Sequence, residues 1–121
     1  MIIKQDKNKA RLQRAKRTSD IHGTAQRPRL SVYRSLGHIY AQIINDDKGE
    51  TIVAVNSLQE AVEKLGAGKT KKEISFIVGQ EIGKLAIAKK VKEVIFDRNG
   101  YVYHGRIKEV AEGARAAGLK F

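Results

Sequence analysis

The segments that decide the fold of this chain are residues 30–34 (LSVYR), 38–44 (HIYAQII) and 51–55 (TIVAV). In the first two, apolar and polar side chains alternate, which is typical of β-strands that bury one face. Gly37 and residues 46–49 (DDKG) are turn-forming and lie between the segments. Connections this short join antiparallel neighbours, so the three segments predict an antiparallel meander.

Two helical patterns follow the third strand. Residues 57–60 (SLQE) and 70–73 (TKKE) have the spacing of a capping box, in which a hydroxyl accepts a hydrogen bond from the first turn of a helix. The first pattern predicts a short helix that ends at Gly66. The second predicts a longer helix that ends at about Lys90.

A fourth strand and a last helix complete the pattern. Residues 94–97 (VIFD) are largely apolar, which predicts a central strand, and residues 106–117 carry an apolar stripe, which predicts a helix. Gly79 and Gly83 lie four apart in the long helix, so its face can approach a neighbour closely. The helices between the third and fourth strands permit a crossover, so the fourth strand can run parallel to the first. The expected fold class is therefore α/β, a mixed four-stranded sheet with packed helices.

The composition excludes several classes of protein. The chain has 121 residues with 41% apolar side chains, so a single domain with a real core is expected. Because there is no cysteine, a disulfide framework, a thiolate zinc site and a cysteine nucleophile are excluded. No apolar run is long enough for a membrane span or a secretory signal, so we expect a cytosolic protein.

Positive charge is concentrated at the N-terminus. Residues 1–29 hold nine basic and two acidic side chains, and this segment carries +7 of the net charge of +11. Such a segment repels itself in water, whereas a polyanion would neutralise it and allow residues 6–18 to become helical. We therefore expect a polyanion as the partner of a basic arm over residues 1–26, flexible or helical on binding, and a globular domain over residues 27–121. The alternative is that the arm is a solvated tail that only confers solubility. The phosphate-binding side chains expected in the arm are Lys7, Lys9, Arg11, Arg14, Lys16 and Arg17.

Patterns for catalysis and metal binding are weak. Residues 66–70 (GAGKT) look like a phosphate-binding loop, but the motif requires a glycine where this chain has Glu63. The three histidines lack the spacing of a helical metal pair. Asp97 follows the fourth strand, yet a metal-dependent nuclease needs two or more carboxylates on adjoining strands. We expect Asp97 to cap a turn or to hold Arg98, and we expect no cofactor, metal or small-molecule substrate.

Polar side chains on the first two strands form one candidate interface. If the strands pair in register, the side chains share a sheet face on which tyrosine and arginine can stack on unpaired bases. The alternative is that the tyrosines pack under a helix with their hydroxyls at the rim. The side chains are Ser31, Tyr33 and Ser35 from the first strand and His38, Tyr40 and Gln42 from the second, with Arg29 and Arg34 nearby.

A second candidate interface lies in residues 97–106 (DRNGYVYHGR), a loop with two glycines that opens the last helix. Basic and aromatic groups beside a helix N-terminus suit contacts with phosphates and bases. The side chains that form this cluster are Arg98, Tyr101, Tyr103, His104 and Arg106.

With these clusters in view, the chain resembles a known family. Residues 27–35 (RPRLSVYRS) and 38–42 (HIYAQ), residues 96–106 and the closing residues 114–121 (ARAAGLKF) closely resemble bacterial large-subunit ribosomal protein eighteen. The resemblance runs over essentially the whole length, including the basic arm. It implies a ribonuclease H-like topology without the catalytic carboxylates of that fold.

The resemblance also implies a function. It predicts a non-enzymatic protein that binds 5S ribosomal RNA in the central protuberance and contacts 23S ribosomal RNA and neighbouring large-subunit proteins. Arg27, one of the basic side chains of residues 1–29, also belongs to the expected RNA-binding residues. Three features depart from the family pattern: residues 18–20 (TSD) replace basic positions, Asn99 replaces the first of two glycines, and Asn56 replaces a small residue.

Two other functional classes stay open on the residues alone. One is a metal-dependent nuclease with Asp97 as a ligand. The other is a basic module that binds acidic proteins or membranes, although the arm lacks the apolar face of an interfacial helix. Cleavage of RNA in the presence of magnesium would identify the first, and equal binding to any polyanion would identify the second.

We predict that deletion of residues 1–26 weakens binding to 5S RNA and flattens its salt dependence, while the remainder still folds. Each phosphate contact removed should lower the slope of log K against log salt by roughly 0.9. Titrations at several salt concentrations measure the slope, and circular dichroism checks folding. An unchanged slope would show that the arm makes no phosphate contacts.

Overall fold

A computed structural model describes residues 7–17 and 21–121 of the chain, and within the first helix it describes the side chains of residues 9–14. The elements in chain order are α1 (Lys7–Arg17), β1 (Arg29–Arg34), β2 (Ile39–Asn45), β3 (Glu50–Asn56), α2 (Glu60–Leu65), α3 (Lys71–Ala88), β4 (Ile95–Asp97) and α4 (Arg106–Ala116). None of the helices in these ranges is long and apolar enough to cross a membrane.

The four strands form one mixed sheet in the order β3-β2-β1-β4. Strand β1 pairs antiparallel with β2 and parallel with β4, and β2 pairs antiparallel with β3. The predicted α/β class, the meander and the parallel fourth strand are confirmed. The predicted central position of β4 is wrong, because this strand lies at the edge of the sheet, next to β1 alone.

Strand β4 is apolar because C-terminal residues cover it. The ring of Phe96 stacks on Phe121 and meets Tyr103 edge-on, with ring centroids 5.8 Å apart in both pairs. Beside the strand, Val94 is fully buried and its amide donates to the carbonyl of Lys120 at 3.1 Å. The edge is therefore shielded by side chains from the C-terminal part of the chain, and the apolar composition of the strand alone cannot distinguish this from a central position.

The core lies between one face of the sheet and the helices α3 and α4. Leu30 and Val32 of β1 are fully buried, as are Val78 and Ile82 of α3 and Val110 of α4. Complete burial of such a side chain contributes about 1.5–3 kcal/mol to folding. The period-two alternation of β1 and β2 thus assigns one face of the sheet to the core and leaves the other face for polar side chains.

Helices α3 and α4 approach each other closely through glycines from both partners. A Cβ atom at Gly79 would overlap the carbonyl oxygen of Val110, and one at Gly113 would overlap that of Phe76. A Cβ at Gly83 would lie 2.6 Å from that of Ala117. The predicted close face at Gly79 and Gly83 is confirmed.

The two predicted capping boxes differ in outcome. The Thr70 hydroxyl accepts a hydrogen bond from the amide of Glu73 at 3.3 Å, so the first residue of the second box caps α3 as predicted. The first prediction is wrong, because α2 begins three residues later than Ser57, at Glu60, and its N-cap Gln59 makes no side-chain cap. Ser57 instead is buried and accepts from the amide of Ile39 at 3.0 Å, which ties β3 to β2.

Arg29 joins three segments of the sheet. Its guanidinium donates to Asp46 at 2.9 and 3.1 Å and to Asp97 at 2.8 Å, so the β2–β3 turn and the end of β4 are both held to β1. The hydrogen bond from Arg29 lowers the pKa of Asp46 below its ordinary value. Asp46 also accepts from the amide of Gly23 at 2.7 Å, so a buried residue within the segment assigned to the arm is tied to the sheet.

We predict that Gly113→Ala destabilises the protein by about 1–3 kcal/mol, because the new methyl group must push α4 away from α3. Gly37→Ala is the matched control, since a Cβ at Gly37 meets nothing within 4 Å, and it should change the free energy of unfolding by less than about 0.5 kcal/mol. Urea denaturation measures both values. Equal stability of the two variants would contradict the close helix crossing.

We predict that Arg29→Gln destabilises the protein at neutral pH by about 1.5–3 kcal/mol, because two carboxylates lose a charged hydrogen-bond donor. The stability that Asp46 gains from its lowered pKa is present above about pH 4 and is lost as the pH falls through its folded-state pKa. The difference between wild type and variant should therefore shrink below pH 4. Unfolding free energies measured between pH 7 and pH 2 test this, and a difference that does not change with pH would contradict it.

Candidate nucleic-acid interface

The register of β1 and β2 places the predicted polar side chains side by side. Tyr33 lies opposite Tyr40, and Ser31 lies opposite Gln42. The two rings lie with their centroids 5.9 Å apart, and the four side chains line one depression of the sheet surface. This face is opposite the core, because the residues between them in each strand, such as Val32 and Ala41, are buried.

Neither tyrosine is packed away inside the protein. The Tyr33 side chain is 50% exposed, and Tyr40 is half-buried. Helices α3 and α4 pack on the other face of the sheet. Helix α1 places the Arg11 guanidinium over the ring of Tyr33, 5.8 Å from its centroid. Tyr33 is thus open to solvent and also lies beneath a side chain of α1, so contact of these tyrosines with RNA stays a prediction.

Two arginines hold α1 against the loop that follows β4. Arg11 donates to the carbonyl of Asn99 at 3.0 Å, and Arg14 donates to the carbonyl of Gly100 at 2.6 Å. Arg11 also lies over the ring of Tyr101, 4.8 Å from its centroid. Of the other predicted phosphate-binding residues in the arm, Lys9 is exposed. The side chains of Lys7, Lys16 and Arg17, and residues 18–20, lie outside the described residues.

The loop after β4 is held to β1 by Asn99. This residue has φ +51°, a left-handed conformation that asparagine tolerates and that fits its position in place of a glycine. Its amide nitrogen Nδ2 donates to Ser31 Oγ at 2.7 Å and to the carbonyl of Val32 at 2.8 Å. The Asp97 carboxylate accepts from the Asn99 amide at 2.9 Å, so Asp97 caps the turn as predicted, while its cation partner is Arg29 rather than Arg98.

Tyr101 connects this loop to the end of β1. Its hydroxyl donates to the carbonyl of Arg34 at 3.1 Å and accepts from the Arg34 amide at 3.3 Å. The Arg34 guanidinium lies 5.5 Å from the Tyr101 centroid, and the Tyr101 ring meets Tyr33 edge-on at 6.4 Å. We refer to Arg11, Tyr33, Arg34, Tyr40 and Tyr101 as the aromatic face. It unites residues that the sequence assigned to the arm and to both clusters.

The structure separates other predicted residues from the aromatic face. Tyr103 packs on Phe96, and its hydroxyl accepts from Arg115 at 3.0 Å, so it lies with the C-terminal residues that cover β4. Arg29 is engaged by two carboxylates, and Ser35 lies in the β1–β2 turn, where its amide donates to the carbonyl of His38 at 2.9 Å. The remaining members, Arg27, Arg98 and His104, are exposed.

His38 and Arg106 line a different cavity, at the end of the sheet between the β1–β2 turn and the helices. His38 Nδ1 is 3.0 Å from the Ser57 hydroxyl. Burial, followed by the charge of Arg34, lowers the pKa of Arg106 below its ordinary value. Sequence reasoning missed Lys71 and Ser75, which line the same cavity, because no local pattern connects α3 to residues more than 30 positions away.

The described residues form no candidate metal site. Over the described ranges, no group of three or more histidine or acidic side chains is placed to hold a metal ion. Asp97 is largely buried, and both of its oxygens accept hydrogen bonds from the protein, one from Arg29 and one from Asn99.

Comparison with known proteins identifies relatives over the whole chain. A family model described as ribosomal L18 of archaea, bacteria, mitochondria and chloroplast matches residues 5–121. A protein of Clostridioides difficile is 54% identical, one of Staphylococcus haemolyticus is 51% identical and one of Alkaliphilus metalliredigens is 50% identical. Each of these matches covers all of both chains and is named large ribosomal subunit protein uL18. The chain belongs to the ribosomal L18 family.

Proposed function

We propose that the chain binds 5S ribosomal RNA and helps to attach it to 23S ribosomal RNA in the central protuberance of the large ribosomal subunit. Membership of the ribosomal L18 family makes the protein a structural constituent of that subunit and not an enzyme. It is ribosome-bound, and its partners are ribosomal RNA and other ribosomal proteins. The choice of 5S RNA and the position within the subunit are the proposal.

The observation that carries the proposal is the aromatic face. Tyr33 is half-exposed, and the Arg11 and Arg34 guanidinium groups lie within 6 Å of tyrosine rings on the same surface. Stacking of a base on an aromatic ring contributes about 1–3 kcal/mol, and an arginine can contact a phosphate through two hydrogen bonds. Such a surface recognises unpaired bases and backbone shape, which are the features that folded RNA displays.

Charge supports the same conclusion. The net charge is +11, and +7 of it lies in residues 1–29, whose helix α1 contributes Arg11 to the aromatic face. A positive field of this size attracts polyanions and accelerates their encounter with the protein. Counterion release then makes binding strongly dependent on salt.

A competition assay tests the proposal. Labelled 5S RNA is bound to the full-length protein at physiological salt, and unlabelled 5S RNA, transfer RNA and heparin are compared as competitors. The proposal requires 5S RNA to compete at least tenfold better than either alternative. Equal competition by heparin would identify a general polyanion-binding module, and loss of intact RNA in the presence of magnesium would identify a nuclease.

We predict that Arg34→Ala lowers the affinity for 5S RNA by about 5- to 100-fold, which corresponds to about 1–3 kcal/mol. Because Arg34 is exposed, loss of its contact with Tyr101 should lower stability by only about 0.5–1 kcal/mol. Lys48→Ala is the matched control, since Lys48 is exposed in the β2–β3 turn at the other end of the sheet. A large drop in melting temperature with normal affinity would show that Arg34 has a structural role instead.

A further inference from the structure

A cavity of about 210 Å³ lies beside the start of α4, and Arg106 in its wall is close enough to Arg34 of the aromatic face for the two positive charges to interact. The wall of the cavity combines side chains from five parts of the chain, and the volume is several times the roughly 30 Å³ that one water molecule takes in the liquid. The polar and charged side chains that line it are His38, Ser57, Glu63, Lys71, Ser75 and Arg106.

Arg106 is the unusual member of this group. The residue is half-buried, and among the described residues its guanidinium has neither a hydrogen-bond partner nor an ion-pair partner. Arg29 provides the comparison within the same protein, because its partly buried guanidinium is held by Asp46 and Asp97. Removing a cation from water without a counter-charge is unfavourable, so the environment of Arg106 favours an anion supplied from outside the chain.

Other groups around the cavity are also suited to an anion. Lys71 lines it and donates to the carbonyl of Leu36 at 3.2 Å, which holds its ammonium near the β1–β2 turn. The Nδ1 atom of His38 faces the Ser57 hydroxyl, which leaves Nε2 as a further polar atom of the ring. Glu63 supplies the single carboxylate of the wall and is exposed on α2.

The start of α4 adds to this environment. The helix begins at Arg106, and its N-cap Gly105 provides no side-chain hydrogen bond to the first turn. The N-terminus of a helix carries a partial positive charge from its free amides. The helix terminus therefore reinforces the positive character that the side chains establish.

We propose that this cavity is a binding site for a single phosphate group, with Arg106 as its principal ligand and Lys71 as a second. The phosphate is either a free anion or a backbone phosphate of bound RNA. The inference holds for either source and does not depend on the choice of 5S RNA as partner.

The first test uses the full-length protein and inorganic phosphate. Titration in chloride buffer at constant ionic strength, followed by amide NMR, should give saturable shifts at Ser57, Ser75 and Ile107. Arg106→Gln should weaken this binding at least tenfold. Lys108→Gln is the matched control, since it removes one charge from the same helix at an exposed position, and it should leave the binding unchanged.

Lys71→Gln provides a second variant should Arg106→Gln fail to fold, and it should also weaken phosphate binding severalfold. Melting temperatures of all the variants report whether each is folded. Absence of saturable shifts, equal binding by the cavity variants and the control, or shifts spread over all the basic surfaces would overturn the proposal.

The second test distinguishes the two sources of phosphate. If RNA supplies it, Arg106→Gln should reduce the salt slope of 5S RNA binding by about one, Lys108→Gln should not, and inorganic phosphate should compete with the RNA. If the slope is unchanged while the titration with inorganic phosphate still saturates, the ligand is the free anion. Failure of the wild-type protein to select 5S RNA would contradict the proposed function and leave the phosphate titration as an independent result.

Discussion

The pairing register of β1 with β2 is the constraint on which the rest of the structure depends. Side chains in a strand alternate between two faces, so a slip of β1 by one residue would move every core side chain of that strand to the solvent face. In the observed register, Leu30 and Val32 enter the core, while Tyr33 lies opposite Tyr40 on the other face. Folding and the candidate interface are therefore fixed by the same pairing, and neither can change without the other.

Contacts at both ends of β1 hold this register. At its start, Arg29 binds carboxylates from the β2–β3 turn and from β4. At its end, the Tyr101 hydroxyl bonds to both backbone groups of Arg34, and Asn99 bonds to Ser31 and to the carbonyl of Val32. The loop after β4 is thus positioned by the strand that it faces, which explains how a glycine-containing loop can present Tyr101 at a defined place.

Much of the fold could be predicted from local patterns. Local patterns place the three strands of the meander within one residue of their observed bounds, and they predict the Thr70 cap and the close approach at Gly79 and Gly83. These features depend on alternation, capping and spacing, which act over a few residues. The edge position of β4 could not be predicted in this way, because its cover comes from Phe121, 25 residues beyond Phe96.

The sequence predicts which residue types form the candidate site, but it predicts less well how their side chains are arranged in space. Tyr33, Arg34, Tyr40 and Tyr101 were identified and do lie together. The sequence near Arg29 does not show that its guanidinium is bound by Asp97, because Asp97 is 68 positions away in the chain. Ion pairs between residues far apart in the chain decide whether a basic side chain can contact another molecule. The sequence shows only that the side chain is charged.

Helix α1 has a consequence for how the tyrosines can be used. With the Arg11 cation resting over two rings, the free protein already satisfies the negative π-faces that a nucleobase would cover. If RNA binds as proposed, a base that stacks on the covered face of either ring must displace this guanidinium, which couples docking of the RNA to movement of the N-terminal segment. A small aromatic ligand that only stacks gains too little binding free energy to displace Arg11. A large ligand that also neutralises the displaced cation can do so.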